Sequence, residues 1–206
     1  MRFIRWVGAV GAVVYVVGFV LVSSAPGGGD VEGSDFEDFY VTDDKTAMVV
    51  IGLIVLTIGV LALLWFFHQL RTAIATTDAG FGWGAAALGL ALVGGGGCLL
   101  AGPSGVQAFS DADFVGQPVA HTFAQAGFAM MLVPGSLFLA LGVAVLSLAG
   151  RNAGVLVPWV AIAGLVAAAL QLVASIWIPS LAIPLWVLIA SLAGLRLNDR
   201  TAVAST

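Results

Sequence analysis

A bundle of six transmembrane helices, all-α and with both the N and C termini cytoplasmic, is the fold class this chain predicts. Composition is the first ground: 61% of the 206 residues are hydrophobic and 9% charged, with a mean hydropathy of +1.11, against roughly 45–50% and about 25% in soluble domains. The second is that the charges are confined to the gaps between long apolar runs or to the ends of those runs, because a charge near the bilayer centre is costly. The third is how the charges sort by sign. Six crossings that start in the cytoplasm put Arg2, Arg5, Arg71, Arg151, Arg196 and Arg200 on the inner side and leave Lys45 outside, as the positive-inside rule requires. Asp30, Glu32, Asp35, Glu37, Asp38, Asp43, Asp44, Asp111 and Asp113 then fall outside, and Asp78 and Asp199 inside.

Each span has its own justification. The first, 3–22, follows Arg2 and Arg5 and reads as a retained helix rather than a secretory signal. Its apolar run exceeds the usual signal core of roughly 7–15 residues, and Pro26 would sit just after a cleavage at Ser23-Ser24-Ala25. An acidic outer loop occupies 23–46. Spans at about 47–67, 82–102, 122–148 and 155–177 are each long enough for the roughly 20 residues that cross a ~30 Å hydrocarbon core. The run 155–196 is too long for one crossing and is bracketed by Arg151 and Arg196, so a tight hairpin through Trp177-Ile178-Pro179-Ser180 yields a sixth span at 180–196. Pro184 falls near the first turn of that helix, where a missing N–H costs little, and Pro134 is expected to kink the fourth. All six belong to a single membrane domain, 1–206.

Lipid-embedded helices associate through small residues, and three spans carry them at steps of three and four. The third has Gly84, Ala87, Ala91, Gly94, Cys98 and Ala101; the fourth Gln125, Ala129, Leu132, Ser136, Ala140, Val143 and Ser147; the fifth Ala161, Gly164, Ala168, Gln171 and Ser175. These three are expected to form the tight centre. Gly94 to Gly97 reads as a smooth packing surface, not a phosphate loop, since no Lys-Ser/Thr follows.

The chemistry available is sparse. His68 and His121 close and open spans on opposite sides, roughly 30 Å apart, and cannot share an ion; with no HExxH and no neighbouring Cys, Asp or Glu at ligand spacing, no metal site and no cofactor are expected. Ser136 and Ser147 lack a base at their depth, and the spans hold no aspartates, which argues against intramembrane proteolysis and ion-coupled transport. Cys98 has no intrachain partner, and no basic footprint for nucleic acid is present. The polar residues left are Gln125, Ser136, Gln171 and Ser175, which either link helices or orient a neutral ligand. In the outer loop, Phe36, Phe39 and Tyr40 at i, i+3 and i+4 share one face of a short helix and form a candidate interaction surface, echoed by Phe109 and Phe114 in the second outer loop. The acidic spacing does not match an EF-hand.

Asp38-Phe39-Tyr40, Leu-Leu-Trp-Phe-Phe-His-Gln-Leu-Arg (63–71), Gly-Val-Leu-Val-Pro-Trp (154–159) and Pro-Leu-Trp-Val-Leu-Ile-Ala-Ser (184–191) together resemble uncharacterised six-helix membrane proteins of actinobacterial type, distantly similar to the DUF4386 domain of unknown function. The resemblance implies a bacterial inner-membrane protein and supplies no catalytic residues. The expected function is that of a multi-pass, non-enzymatic component that contacts membrane lipids, a protein partner or a second copy of itself. The alternative is a transporter or binding protein for a small neutral or lipophilic molecule, with an open cavity between the third, fourth and fifth spans.

Overall fold

Small residues on one face and branched apolar residues on the other decide how the helices pair. A computed structural model describes residues 2–24, 43–75, 126, 129, 131–172 and 181–195, and every regular element among them is helical. The elements are α1 (Arg2–Ser23), α2 (Asp43–Ala75), α3 (Ser136–Asn152, preceded by a π-helical turn Met131–Gly135), α4 (Pro158–Gln171) and α5 (Ala182–Ile189, continued by a π-helical turn Ala190–Gly194). Among the described residues three helices are long and apolar enough to cross a membrane, Arg5–Ser23, Ala47–Ala75 and Val133–Asn152, and Pro158–Gln171 and Ala182–Ala193 are shorter apolar helices. The chain is thus a helical membrane protein. The expected span 82–102 and residues 25–42 of the expected outer loop lie outside the described residues.

α1 and α2 run antiparallel with their backbones in contact. A Cβ built on Gly18 would sit 2.5 Å from Leu56 Cα, and one on Gly59 would sit 2.5 Å from Tyr15 N and Cα; only glycine permits this approach. Gly11 and Gly52 extend the same line against Ala62 and Leu21. The opposite faces point outward as stripes of large residues: Val10, Val13, Val17 and Val20 on α1, and Ile51, Ile54, Ile58, Leu61 and Trp65 on α2. In water such stripes would be a liability, whereas in lipid they are the solvated surface. The hydroxyls of Ser23, Thr57 and Thr72 donate to the carbonyl four residues earlier, as where Thr57 Oγ1 donates to Leu53 O at 2.8 Å.

The helix expected over 47–67 extends from Asp43 to Ala75. Its 33 residues span about 50 Å, more than the ~30 Å core demands, because Phe66, Phe67, Leu70 and Ile74 continue its buried face. α3 likewise runs to Asn152, past the expected limit of 148, and carries Arg151 in its last turn. It stops in a Schellman turn. Gly154 takes φ 70°, its N–H donates to Arg151 O at 3.1 Å, and Val155 N–H donates to Gly150 O at 2.9 Å, satisfying carbonyls that the helix end leaves open. α4 then starts at Pro158 rather than 155, the proline occupying the first turn where no N–H is needed. Replacing Gly154 with alanine is expected to cost about 1–2 kcal/mol, the penalty of a left-handed conformation for a residue with a Cβ, read as a lowered melting temperature in detergent.

Pro134 produces a π-helical turn. A π turn inserts one residue into the helical register, rotating the residues before it by about 100° relative to those after it. Ser136, Ala140, Val143 and Ser147 are accordingly buried, as their spacing predicts, whereas Ala129, expected on the same line, is exposed.

At one end of the bundle the Arg5 guanidinium donates to Leu195 O at 3.0 Å, and Leu195 pairs with Leu156 of the α3–α4 turn in a single antiparallel bridge. Because α2 passes Gly8 at Phe66, Arg71 lies at this end too, as does Arg151 at the close of α3. This is the arginine end. Trp6, Trp65 and Trp159, each at least half exposed, ring the bundle near the same level.

Candidate functional site

Buried polar groups in an apolar bundle are costly unless paired, so they mark where interactions have been built. Of the four polar candidates from sequence, Ser136 and Gln171 come together: Gln171 Nε2 donates to Ser136 Oγ at 3.1 Å between α3 and α4, and both residues are buried. The pair lies toward the end opposite the arginines, Gln171 being about 20 Å along α4 from Pro158. Gln171 Oε1 has no partner. Gln125 and Ser175 fall outside the described residues, as do Phe36, Phe39 and Tyr40, His121 and Cys98. His68 is exposed, with its ring 6.2 Å from that of Trp65.

Nearer the arginine end is a second contact that sequence reasoning did not single out. Trp186 of α5 is 1% exposed; its Nε1 donates to Val160 O of α4 at 2.9 Å, and its ring stacks on Phe67 of α2 with centroids 6.4 Å apart. Gly164 of α4 provides the space for it, since a Cβ there would fall 2.7 Å from Trp186 Nε1 and against Ser147 Oγ of α3. One indole thus joins α2, α4 and α5, with α3 alongside. The signal was present as the Pro-Leu-Trp run 184–186, but an aromatic residue in an apolar span has no pattern that separates a buried rivet from a lipid-facing side chain.

Another buried polar residue, Ser191, packs its hydroxyl against Gly8 without a hydrogen-bond partner. It lines a recess of about 260 Å³ together with Arg5, Trp6 and Leu192. Further along the α1–α5 seam lies an open apolar groove of about 650 Å³, formed by Val13, Val16 and Val17 of α1 with Leu181, Leu185 and Leu188, among others.

Among the described residues no three His, Cys, Asp or Glu side chains converge. The chain matches no family model, no curated protein and no solved structure.

Paired and unpaired buried polar groups predict opposite outcomes. Gln171→Leu removes a paired interhelical hydrogen bond and is expected to destabilise by about 0.6 kcal/mol, the average for such bonds in membranes. Ser147→Ala removes a hydroxyl that has no partner and is expected to be neutral or stabilising by about 1 kcal/mol. Unfolding in mixed micelles measures both.

Proposed function

We propose that this chain is a multi-pass component of a bacterial inner membrane, of the DUF4386-like kind, that works by contact with lipid or protein rather than by catalysis. Six crossings with cytoplasmic termini are part of the proposal. The observation that carries it is the use made of the interior polar groups: Gln171 holds Ser136, and Trp186 closes on Val160 and Gly164. In the described helices the side chains of Gln171 and Trp186 thus bond to other helices, and the broad apolar groove lies on the lipid-facing side. The contact of Arg5 with Leu195, the grouping of Arg5, Arg71 and Arg151 at one end and the exposed Trp6, Trp65 and Trp159 near it support a cytoplasmic arginine end, where cations and interfacial tryptophans collect.

The buried Gln171 Oε1, which lacks a partner, favours a second reading, that of a binding protein or transporter for a small neutral or lipophilic molecule. Native mass spectrometry of protein released gently from its own membrane separates the two. A stoichiometric lipid or protein partner that survives Gln171→Leu is expected. A small-molecule adduct lost in that variant overturns the contact reading in favour of the second. For topology, alkaline phosphatase fused after residue 42 is expected to be active and after Gly154 inactive; the reverse would overturn the orientation.

A further inference from the structure

The seam between α1 and α5 joins two features that have separate shapes and one common use. At the arginine end is the recess of Arg5, Trp6, Ser191 and Leu192; along the seam is the apolar groove at Val13, Val17, Leu185 and Leu188. The two helices run antiparallel, so Trp6 faces Leu192 while Val13 and Val17 face the earlier part of α5. We propose that an anionic glycerophospholipid of the leaflet on the arginine side docks along this seam, its phosphate at Arg5 and an acyl chain in the groove. The inference rests on the contact reading above and names the lipid class.

Three observations favour this occupant. The first is depth. Val13 and Val17 lie about 12 and 18 Å along α1 from Arg5, bracketing the ~15 Å that one leaflet contributes to the hydrocarbon core. A lipid whose phosphate is level with Arg5 therefore runs its chain through the groove, and Trp6, 68% exposed, marks the interfacial level between them. The second is charge. Arg5 uses a guanidinium N–H on Leu195 O, and that bond fixes the planar fork while leaving further donors for a phosphate, which arginine binds bidentately. Ser191 adds a buried hydroxyl without a partner at the base of the recess. Among the described residues the carboxylates, Asp43 and Asp44, belong to the start of α2, at the opposite end. The third is surface chemistry. The groove lining is aliphatic, without a polar side chain among the residues named, as suits an acyl chain.

The test uses full-length protein in nanodiscs of phosphatidylglycerol and phosphatidylethanolamine in equal parts, ejected for native mass spectrometry. One retained lipid per chain is expected, enriched in phosphatidylglycerol by about five-fold, the effect of roughly one basic side chain at a membrane surface. Arg5→Gln is expected to abolish the enrichment while lipid is still retained, and Arg5→Lys to restore part of it. Val13→Trp, which fills the groove from a lipid-facing position and so spares folding, is expected to abolish retention, whereas Ile58→Trp on the outward stripe of α2 leaves it intact. Retention and enrichment that persist in both Arg5→Gln and Val13→Trp overturn the seam while leaving the contact reading standing. Loss of the enrichment on addition of soluble glycerol phosphate overturns the lipid as occupant in favour of a free phosphate, and dimers abolished by Val13→Trp overturn it in favour of a second copy. A bare monomer that retains neither lipid nor protein overturns this inference and the contact reading together.

Discussion

Leucine at Gly59 is expected to separate α1 from α2 and destabilise the protein by about 3 kcal/mol or more, at the upper end of the cost of overpacking. The magnitude is set by the atoms that the new side chain meets. A Cβ on Gly59 lies 2.5 Å from the backbone N and Cα of Tyr15, and one on Gly18 meets Leu56 N and Cα, so no change of rotamer in a neighbour relieves the clash and a whole helix must move. Alanine supplies the sharper test because two effects oppose each other. In a helix interior Gly→Ala stabilises by about 1 kcal/mol through propensity, and a loosely packed interface would show that gain. Here the steric term is larger, and Gly59→Ala is expected to lower stability by about 1–2 kcal/mol net. Reversible unfolding in mixed micelles gives the sign; a stabilised Gly59→Ala variant would mean that the two backbones are not in contact.

How much of this was legible in the sequence depends on the physical rule involved. The apolar runs and the clustering of arginines were legible because bilayer thickness and the cost of buried charge act on each segment by itself. Helix ends were less so: Arg151 had marked a loop, yet α3 continues through it to Asn152 and is closed by Gly154, which adopts a positive φ. The face of α3 could be read from Ser136 to Ser147 and not back to Ala129, since the π turn at Pro134 shifts the register, and spacing alone does not say that a proline inserts a residue. The α1–α2 contact was visible in part, as Gly11 and Gly18 and again Gly52 and Gly59 are seven residues apart. With 27 glycines in the chain, however, spacing does not choose which helices pair. Of the polar candidates, Ser136 and Gln171 meet because both sat on small-residue faces of neighbouring spans. Trp186 and Ser191 were not identified because their roles arise from how α5 packs, Trp186 against α4 and α2 and Ser191 against α1.

Trp186 yields the second large effect. Trp186→Ala is expected to cost about 3 kcal/mol, even though lipid removes most of the hydrophobic term between helices. What remains is the cavity: α2, α4 and α5 lose the dispersion contacts of one buried ring, and the surrounding helices collapse only partly. Phenylalanine at this position keeps much of the stack on Phe67 and loses the hydrogen bond to Val160 O, so Trp186→Phe is expected to cost about 1 kcal/mol, near the ordinary value of a membrane hydrogen bond. The geometry also predicts coupling to Gly164. Alone, Gly164→Ala places a Cβ 2.7 Å from Trp186 Nε1 and is expected to destabilise; combined with Trp186→Ala, the same methyl enters space that the indole has vacated. The double variant is therefore expected to be more stable than the sum of the two single changes by about 0.5–3 kcal/mol, the range for residues in direct contact. Strict additivity would mean that the indole does not fill the notch left by Gly164, and the join between α4 and α5 would then have to rest on other contacts.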